Sequence, residues 1–235
     1  MAPPATMSYK KKIVITGASG LIGGQLLKDL SDEYEILKLD ISTGHDLTDE
    51  NFVEEWFKEN NNLYGMIVCH AYNPLPLRET KKIEPIDQSI EELRSYYEVN
   101  VISAFNVCRH FIKNNKSGSI INISSLYGLN SPKHDVYNNF TKPIGYSLTK
   151  SSIIAMTKYL ATYYAPNYRF NAVVLGGVYD ERFDKSFIMN YNKHTPFKRM
   201  MNIEETTGIF KYLMSNSSSY TTGGVFVVDG GWTAW

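Results

Sequence analysis

Two stretches of this sequence set a tyrosine four residues ahead of a lysine: Tyr34 with Lys38, and Tyr146 with Lys150. An ammonium beside a phenol favours the phenolate and draws the tyrosine pKa down from about 10 toward neutrality. Such a tyrosine could move a proton onto or off an alcohol oxygen. The spacing alone means little in a chain with 17 tyrosines. The surrounding element decides. Tyr34 to Lys38 reads as a strand, where four residues span roughly 13 Å at about 3.3 Å each. Tyr146 and Lys150 open a helix, where such side chains lie about 5–6 Å apart on one face. Only the second pair can couple. Just ahead of it, Ile121-Asn122-Ile123-Ser124-Ser125 ends a strand. Hydroxyls at the carboxyl end of a parallel strand sit where ligands bind, so Ser125 is placed to hold a substrate oxygen.

A second constellation lies near the amino end. Thr16-Gly17-Ala18-Ser19-Gly20-Leu21-Ile22-Gly23-Gly24 joins the first strand to the first helix. Glycines there let backbone approach a pyrophosphate, and the helix N-terminus offers free N–H groups and the positive end of its dipole. Gly17, Ser19, Gly20, Ile22 and Gly23 are therefore candidate cofactor contacts. Asp40 closes the second strand. A carboxylate there accepts the ribose hydroxyls of an adenosine and repels a 2′-phosphate. Neither Ser19, Ile41 nor Ser42 brings a positive charge. NAD(H) is expected in preference to NADP(H).

These residues need elements to hold them. Strands are expected at 12–16, 35–40, 64–70, 119–123, 169–175 and 225–228, from apolar runs bounded by turn residues. Helices are expected at 21–30, 49–60, 146–164 and 204–215, and a long helical stretch at 86–113 bent or divided around Asn100. Alternating strands and helices imply a parallel sheet covered on both faces. The expected architecture is α/β, a three-layer, doubly wound Rossmann fold. Residues 12–235 read as one domain and 1–11 as a tail, with Met7 a candidate start.

Composition excludes several classes. With 43% apolar and 20% charged residues in 235, the chain is ordinary globular protein. Lysine plus arginine and aspartate plus glutamate both number 24, so no basic footprint for nucleic acid exists. No run approaches the roughly 18 apolar residues of a membrane span. Cys69 and Cys108, the two cysteines, lie in apolar stretches and read as buried thiols of a reducing, cytoplasmic setting. Histidines and carboxylates show no metal-ligand spacing, so no metal is expected. The expected partner is a small-molecule substrate.

With the glycine loop, Asn100, Ser124-Ser125 and the Tyr146/Lys150 pair in this order, the sequence resembles the short-chain dehydrogenase/reductase family from Lys12 onward. Thr222 to Gly231 is similar to the family's last strand and closing turn. The resemblance implies Tyr146 as acid/base, Ser125 as substrate-orienting serine and Lys150 as cofactor-binding lysine. It implies Asn100 as the asparagine that bends a helix and orders a proton-relay water. Asp46 and Leu47 would meet the adenine, Ala71 the cofactor, and Gly176 and Val178 the nicotinamide carboxamide. It further implies a homodimer or homotetramer. Ser124-Ser125-Leu126-Tyr127-Gly128, Leu160-Ala161-Thr162-Tyr163 and the ending Gly231 to Trp235 resemble a bacterial subgroup associated with surface-glycan, flagellin-sugar and nonulosonic-acid biosynthesis. That implies a sugar or sugar-nucleotide substrate.

Departures from the family pattern carry their own expectations. The glycine spacing T-G-x-x-G-x-x-G is similar to the branch that acts on sugar nucleotides, which keeps open an epimerase- or dehydratase-like enzyme with tightly held NAD. Cys69-His70-Ala71-Tyr72 replaces N-N-A-G, and Leu175 replaces a usual proline, which keeps open a cofactor-binding protein without turnover. Only five residues separate Asp40 from Asp46, whereas a parallel crossover needs about a dozen. The second crossover helix is expected to be missing and its strand reduced or lost. Ser125 and Tyr146 stand 21 positions apart, and the long segment from Asn130 to Gly145 is expected to contact substrate.

Overall fold

The computed structural model describes residues 10–77 and 82–235. Six parallel strands form one sheet: β1 (Lys11–Thr16), β2 (Tyr34–Leu39), β3 (Gly65–Val68), β4 (Gly118–Ser125), β5 (Tyr168–Leu175) and β6 (Val225–Val228). Their spatial order is β2-β1-β3-β4-β5-β6. Residues 1–9 of the expected tail lie outside the described residues, and Lys11 opens β1.

Strand side chains alternate between faces, and the core divides accordingly. Val14, Met66, Ile120 and Phe170 point to one face, beneath α2 (Glu50–Glu59), α4 (Ser103–Asn114) and α5 (Ile144–Tyr164). Ile13, Ile67, Ile121 and Val173 point to the other, beneath α1 (Leu21–Leu30) and α7 (Thr207–Met214). Each large apolar side chain so buried contributes about 1.5–3 kcal/mol. The fold is the expected three-layer, doubly wound α/β sheet.

The crossover from β2 to β3 is shortened as the spacing predicts. A single 3₁₀ turn, Ile41–Thr43, follows β2, and α2 then leads to β3 on the far side of β1. Among the described residues no strand lies outside β2, which forms the edge of the sheet. The chain reverses its direction of travel across the sheet at β1, so a crevice opens at the carboxyl ends of β1 and β3.

The long helical stretch is divided where expected. α3 (Ile90–Tyr97) passes into a wide π turn, Glu98–Ile102, and then α4. Asn100 sits inside that turn. Two elements differ from expectation. α6 (Lys185–His194) was not legible as a helix, and the segment expected as one helix at 204–215 begins as a 3₁₀ turn before α7. Among the described residues no helix is long and apolar enough to cross a membrane.

Candidate active site

β1 ends in a turn that only glycine can make. Gly17 has φ +63°, and a Cβ there would lie 2.7 Å from the backbone nitrogen of His70. At Gly23 a Cβ would stand 2.2 Å from the Gly17 carbonyl oxygen. The loop thus folds tightly against the start of α1, whose N-cap, Gly20, offers no side-chain acceptor to the first N–H groups. Those donors stay available to an anion.

Beside this loop lies a cavity of about 670 Å³ lined by Gly17, Ser19, Asp40, Asp46, Leu47 and Ala71, with His45 and Ile41. Asp40 is buried; its Oδ2 accepts from Ser19 N at 2.8 Å and its Oδ1 from Ser42 N at 2.9 Å and Ser42 Oγ at 2.7 Å. Burial pushes its pKa up, but the hydrogen bonds from Ser42 and Ser19 outweigh it and hold the carboxyl below its ordinary value. Asp40 is therefore an anion at neutral pH. Asp46 is exposed and accepts from Thr48 N at 2.9 Å, while Leu47 is buried.

A second cavity, of about 380 Å³, continues from the first through the shared residues Gly17, Gly20, Cys69 and Ala71. Ile22 and Gly23 line it near the glycine loop, and Ser125, Tyr146, Lys150, Gly176 and Val178 line its deeper part. The two together form one cleft across the carboxyl ends of the strands, with Asp40 at one end and Tyr146 at the other. Each candidate cofactor residue therefore borders this cleft.

At its deep end Tyr146 and Lys150, both buried, rise one turn apart on α5. Lys150 Nζ lies 5.9 Å from the Tyr146 ring centroid and donates to Ile123 O at 2.9 Å. Burial lowers the Lys150 pKa to about 8. The expectation that Lys150 draws the Tyr146 pKa down is corrected here. Burial pushes the Tyr146 hydroxyl above its ordinary value, and its hydrogen bond with Ser125 only partly opposes that. The ammonium is tied to a strand carbonyl, and desolvation of the phenolate is the larger effect. Tyr146 is accordingly a neutral acid at physiological pH. The other pair does not couple, as expected: Tyr34 is buried on the edge strand and Lys38 is exposed.

Asn100 does not border the cleft. Its Oδ1 accepts from Tyr72 N at 2.6 Å, and its Nδ2 donates to Tyr72 O and Thr149 Oγ1, both at 3.1 Å. The side chain bolts the connection after β3 to the residue preceding Lys150. It positions the site from behind, with both Nδ2 protons given to these partners.

The end of the cleft at Gly176 to Val178 is shaped by backbone. Gly176 N donates to Val228 O at 2.9 Å, and Gly177 N donates to Tyr191 Oη at 2.6 Å. Met201 N donates to Gly177 O and Tyr179 N to Met201 O. That bridge uses the groups on either side of Val178, so the N–H and C=O of Val178 itself point away from Met201, and Val178 lines the cleft.

From the long segment before α5, Tyr137 and Lys142 line the cleft, and the Tyr137 hydroxyl donates to Tyr127 Oη at 2.8 Å. Sequence reasoning missed Lys142 on that segment, and Phe187 and Tyr191 of α6, which also line the cleft, Phe187 stacked on Tyr137. A signal for α6 exists: Asp184 accepts from Ser186 N and Phe187 N as an N-cap, ahead of an apolar Phe187/Tyr191 pair. Cys108 is buried and Cys69 half-buried in the cleft wall, and burial pushes both thiols up to about 12, leaving them unreactive. Among the described residues no cluster of three or more metal-binding side chains occurs.

Known proteins are similar to this chain in sequence and in fold. The family model described as enoyl-(acyl carrier protein) reductase matches residues 12–233. The chain is 28% identical over 214 residues to post-translational flagellin modification protein A of Campylobacter coli, covering 88% of this chain and 81% of that protein. It is 29% identical over 215 residues to the chloroplastic NADPH-dependent aldehyde reductase 1 of Arabidopsis thaliana, covering 88% of this chain and 70% of the relative. A crystal structure of a short chain dehydrogenase from Leptospira borgpetersenii with bound NAD+ superposes with a TM-score of 0.82 and 31% identity, over 96% of this chain and 93% of that one.

Proposed function

Because the chain belongs to the short-chain dehydrogenase/reductase family, and is an oxidoreductase of CH–OH or carbonyl groups, we propose that it interconverts a secondary alcohol and a ketone on a sugar or sugar-nucleotide substrate with NAD(H). One observation carries the reading. Tyr146 is buried, bonded with Ser125 and neighboured by Lys150, at the deep end of a cleft whose other end is closed by the Asp40 carboxylate.

The bound dinucleotide would supply or accept the hydride. Ser125 holds the substrate oxygen. Tyr146 gives its proton to that oxygen during reduction and takes it back during oxidation. Lys150 anchors the base of the site through Ile123 O and places a positive charge near the phenolate when it forms. Walls of Phe187, Tyr191 and Met200 keep water from the reacting atoms. The preference for NAD(H) rests on the ionised Asp40, which would repel a 2′-phosphate. Support for a sugar substrate comes from the polar wall made by Asn73, Tyr127 and Tyr137. On this reading the protein works on a small molecule in the cytoplasm as a homodimer or homotetramer.

Tyr146→Phe removes the proton donor and leaves the cleft's shape. It should abolish turnover of NADH against a panel of sugar and sugar-nucleotide ketones, while NADH binding, read by fluorescence, stays within about twofold of wild type. Retained turnover would take Tyr146 out of the mechanism.

A further inference from the structure

The deep end of the cleft holds a second lysine that the Tyr146–Lys150 pair does not require. Lys142 lies four residues before Tyr146, on the connection between β4 and α5. It is only 7% exposed, although lysine is seldom buried without an anionic partner. Its Nζ stands 3.9 Å from the centroid of the Tyr146 ring, closer than the 5.9 Å of Lys150. It donates to Asn73 Oδ1 and to Pro74 O, both on the connection after β3. Both acceptors are neutral. They fix the amine in place and leave its charge uncompensated. Among the described residues the one carboxylate lining this deeper cavity, Asp180, is engaged by Arg182.

We propose that Lys142 is a positioning residue that stabilises the Tyr146 phenolate as it forms, a second cation set against the face of the acid/base ring. The proposal rests on the reading of Tyr146 as proton donor. In reduction the carbonyl carbon gains a hydride from the dihydronicotinamide, and the carbonyl oxygen gains the Tyr146 proton. The O–H bonding pair stays on the tyrosine oxygen, and solvent later returns the proton. The negative charge left behind spreads into the ring that Lys142 covers. A neutral ring face attracts a cation weakly, whereas a phenolate attracts it with a full charge in a water-poor site. The long connection before α5 thus has a use beyond roofing the cleft: it delivers this ammonium.

The charge is also conditional. Burial, with Lys150 nearby, brings the Lys142 pKa down to about 7. The groups around it are Lys150 on α5, Tyr96 on α3, Tyr127 and Tyr137 on its own connection, Cys69 after β3 and the Asp180–Arg182 pair opposite. Burial keeps those three tyrosines and the thiol neutral well above pH 7. Asp180 is held in its ionised form by Arg182. Between about pH 6 and 9 the two lysines are therefore the groups that change charge beside Tyr146.

The test measures kcat and KM of the full chain against pH, with NADH and the ketone turned over fastest in the sugar and sugar-nucleotide panel, for wild type, Lys142→Met and Lys142→Arg. Wild-type kcat should fall as pH rises through about 7. Lys142→Met should be about 10- to 100-fold slower at pH 6 and lack that fall. Lys142→Arg should keep most of the rate and also lack the fall, with KM for NADH unchanged throughout. A Lys142→Met profile shaped like the wild type's, or equal slowing by Met and Arg, would overturn the proposal in favour of a packing role. Absent wild-type turnover, or turnover that survives Tyr146→Phe, would instead remove the functional reading on which it stands.

Discussion

Charge on the Tyr146 oxygen is costly in a buried site, and every neighbouring residue matters through how it changes that cost. Ser125 lowers it by a hydrogen bond, and the flanking ammonium groups lower it only once the phenolate exists. The resting site is therefore poised to donate a proton. Asp40 presents the opposite case, a buried carboxyl whose charge is secured by the serines around it. If that charge selects the cofactor, the apparent KM for NADH should lie well below that for NADPH. Asp40→Ala should narrow the ratio by about tenfold or more, through the removal of like-charge repulsion. Steady-state kinetics with both cofactors checks it, and a wild type that prefers NADPH would contradict the reading.

His70 shows how one side chain can hold elements together. Its Nδ1 meets Thr16 Oγ1 at 2.7 Å and its Nε2 meets Ser103 Oγ at 2.8 Å, joining the end of β1 to the start of α4 just past β3. Burial, aided by the charge of Lys150, pushes its pKa down to about 4. The folded state therefore holds His70 neutral while the unfolded chain takes up a proton below about pH 6.5. Its contribution to stability is fully present above pH 6.5 and is lost as pH falls toward 4. In urea titrations at pH 7.5 and pH 5, the wild type should lose more stability on acidification than His70→Asn; equal losses would show that His70 does not carry the dependence. Much of this level was legible in the sequence. The glycine loop, the short Asp40–Asp46 spacing and the division at Asn100 are local signals, because backbone geometry and chain length decide them within a few residues. α6 and Lys142 were not legible. α6 carries mixed polarity around Phe187 and Tyr191, so its periodicity is faint, and its role comes from packing against Trp232. Lys142 sits in an irregular segment, and what makes it consequential is contact with Tyr146 and Asn73, which no local pattern encodes. The direction of the Tyr146 shift failed for a related reason: spacing reveals the nearby cation but not the depth of burial.

The whole molecule leaves apolar side chains uncovered on the helices behind the site. Leu148, Tyr159 and Tyr163 form a stripe at helical spacing on α5, and Ile102 and Phe105 stand exposed at the π turn and the start of α4. Those positions suit contact between copies of the chain. Light scattering should then give two or four times the 26.8 kDa chain mass, and Tyr159→Glu with Tyr163→Glu should shift the population toward a single copy. A monomeric wild type at micromolar concentration would dismiss the assembly. The opposite margin of the molecule behaves differently. With no strand beyond it among the described residues, β2 turns a row of backbone donors and acceptors outward, the kind of rim that recruits extended peptide from other molecules. That rim is only six residues long, and Glu35 and Lys38 project from it into water. Shortening the crossover thus transferred protection against sheet-to-sheet growth from a covering strand to two charged side chains and to brevity itself.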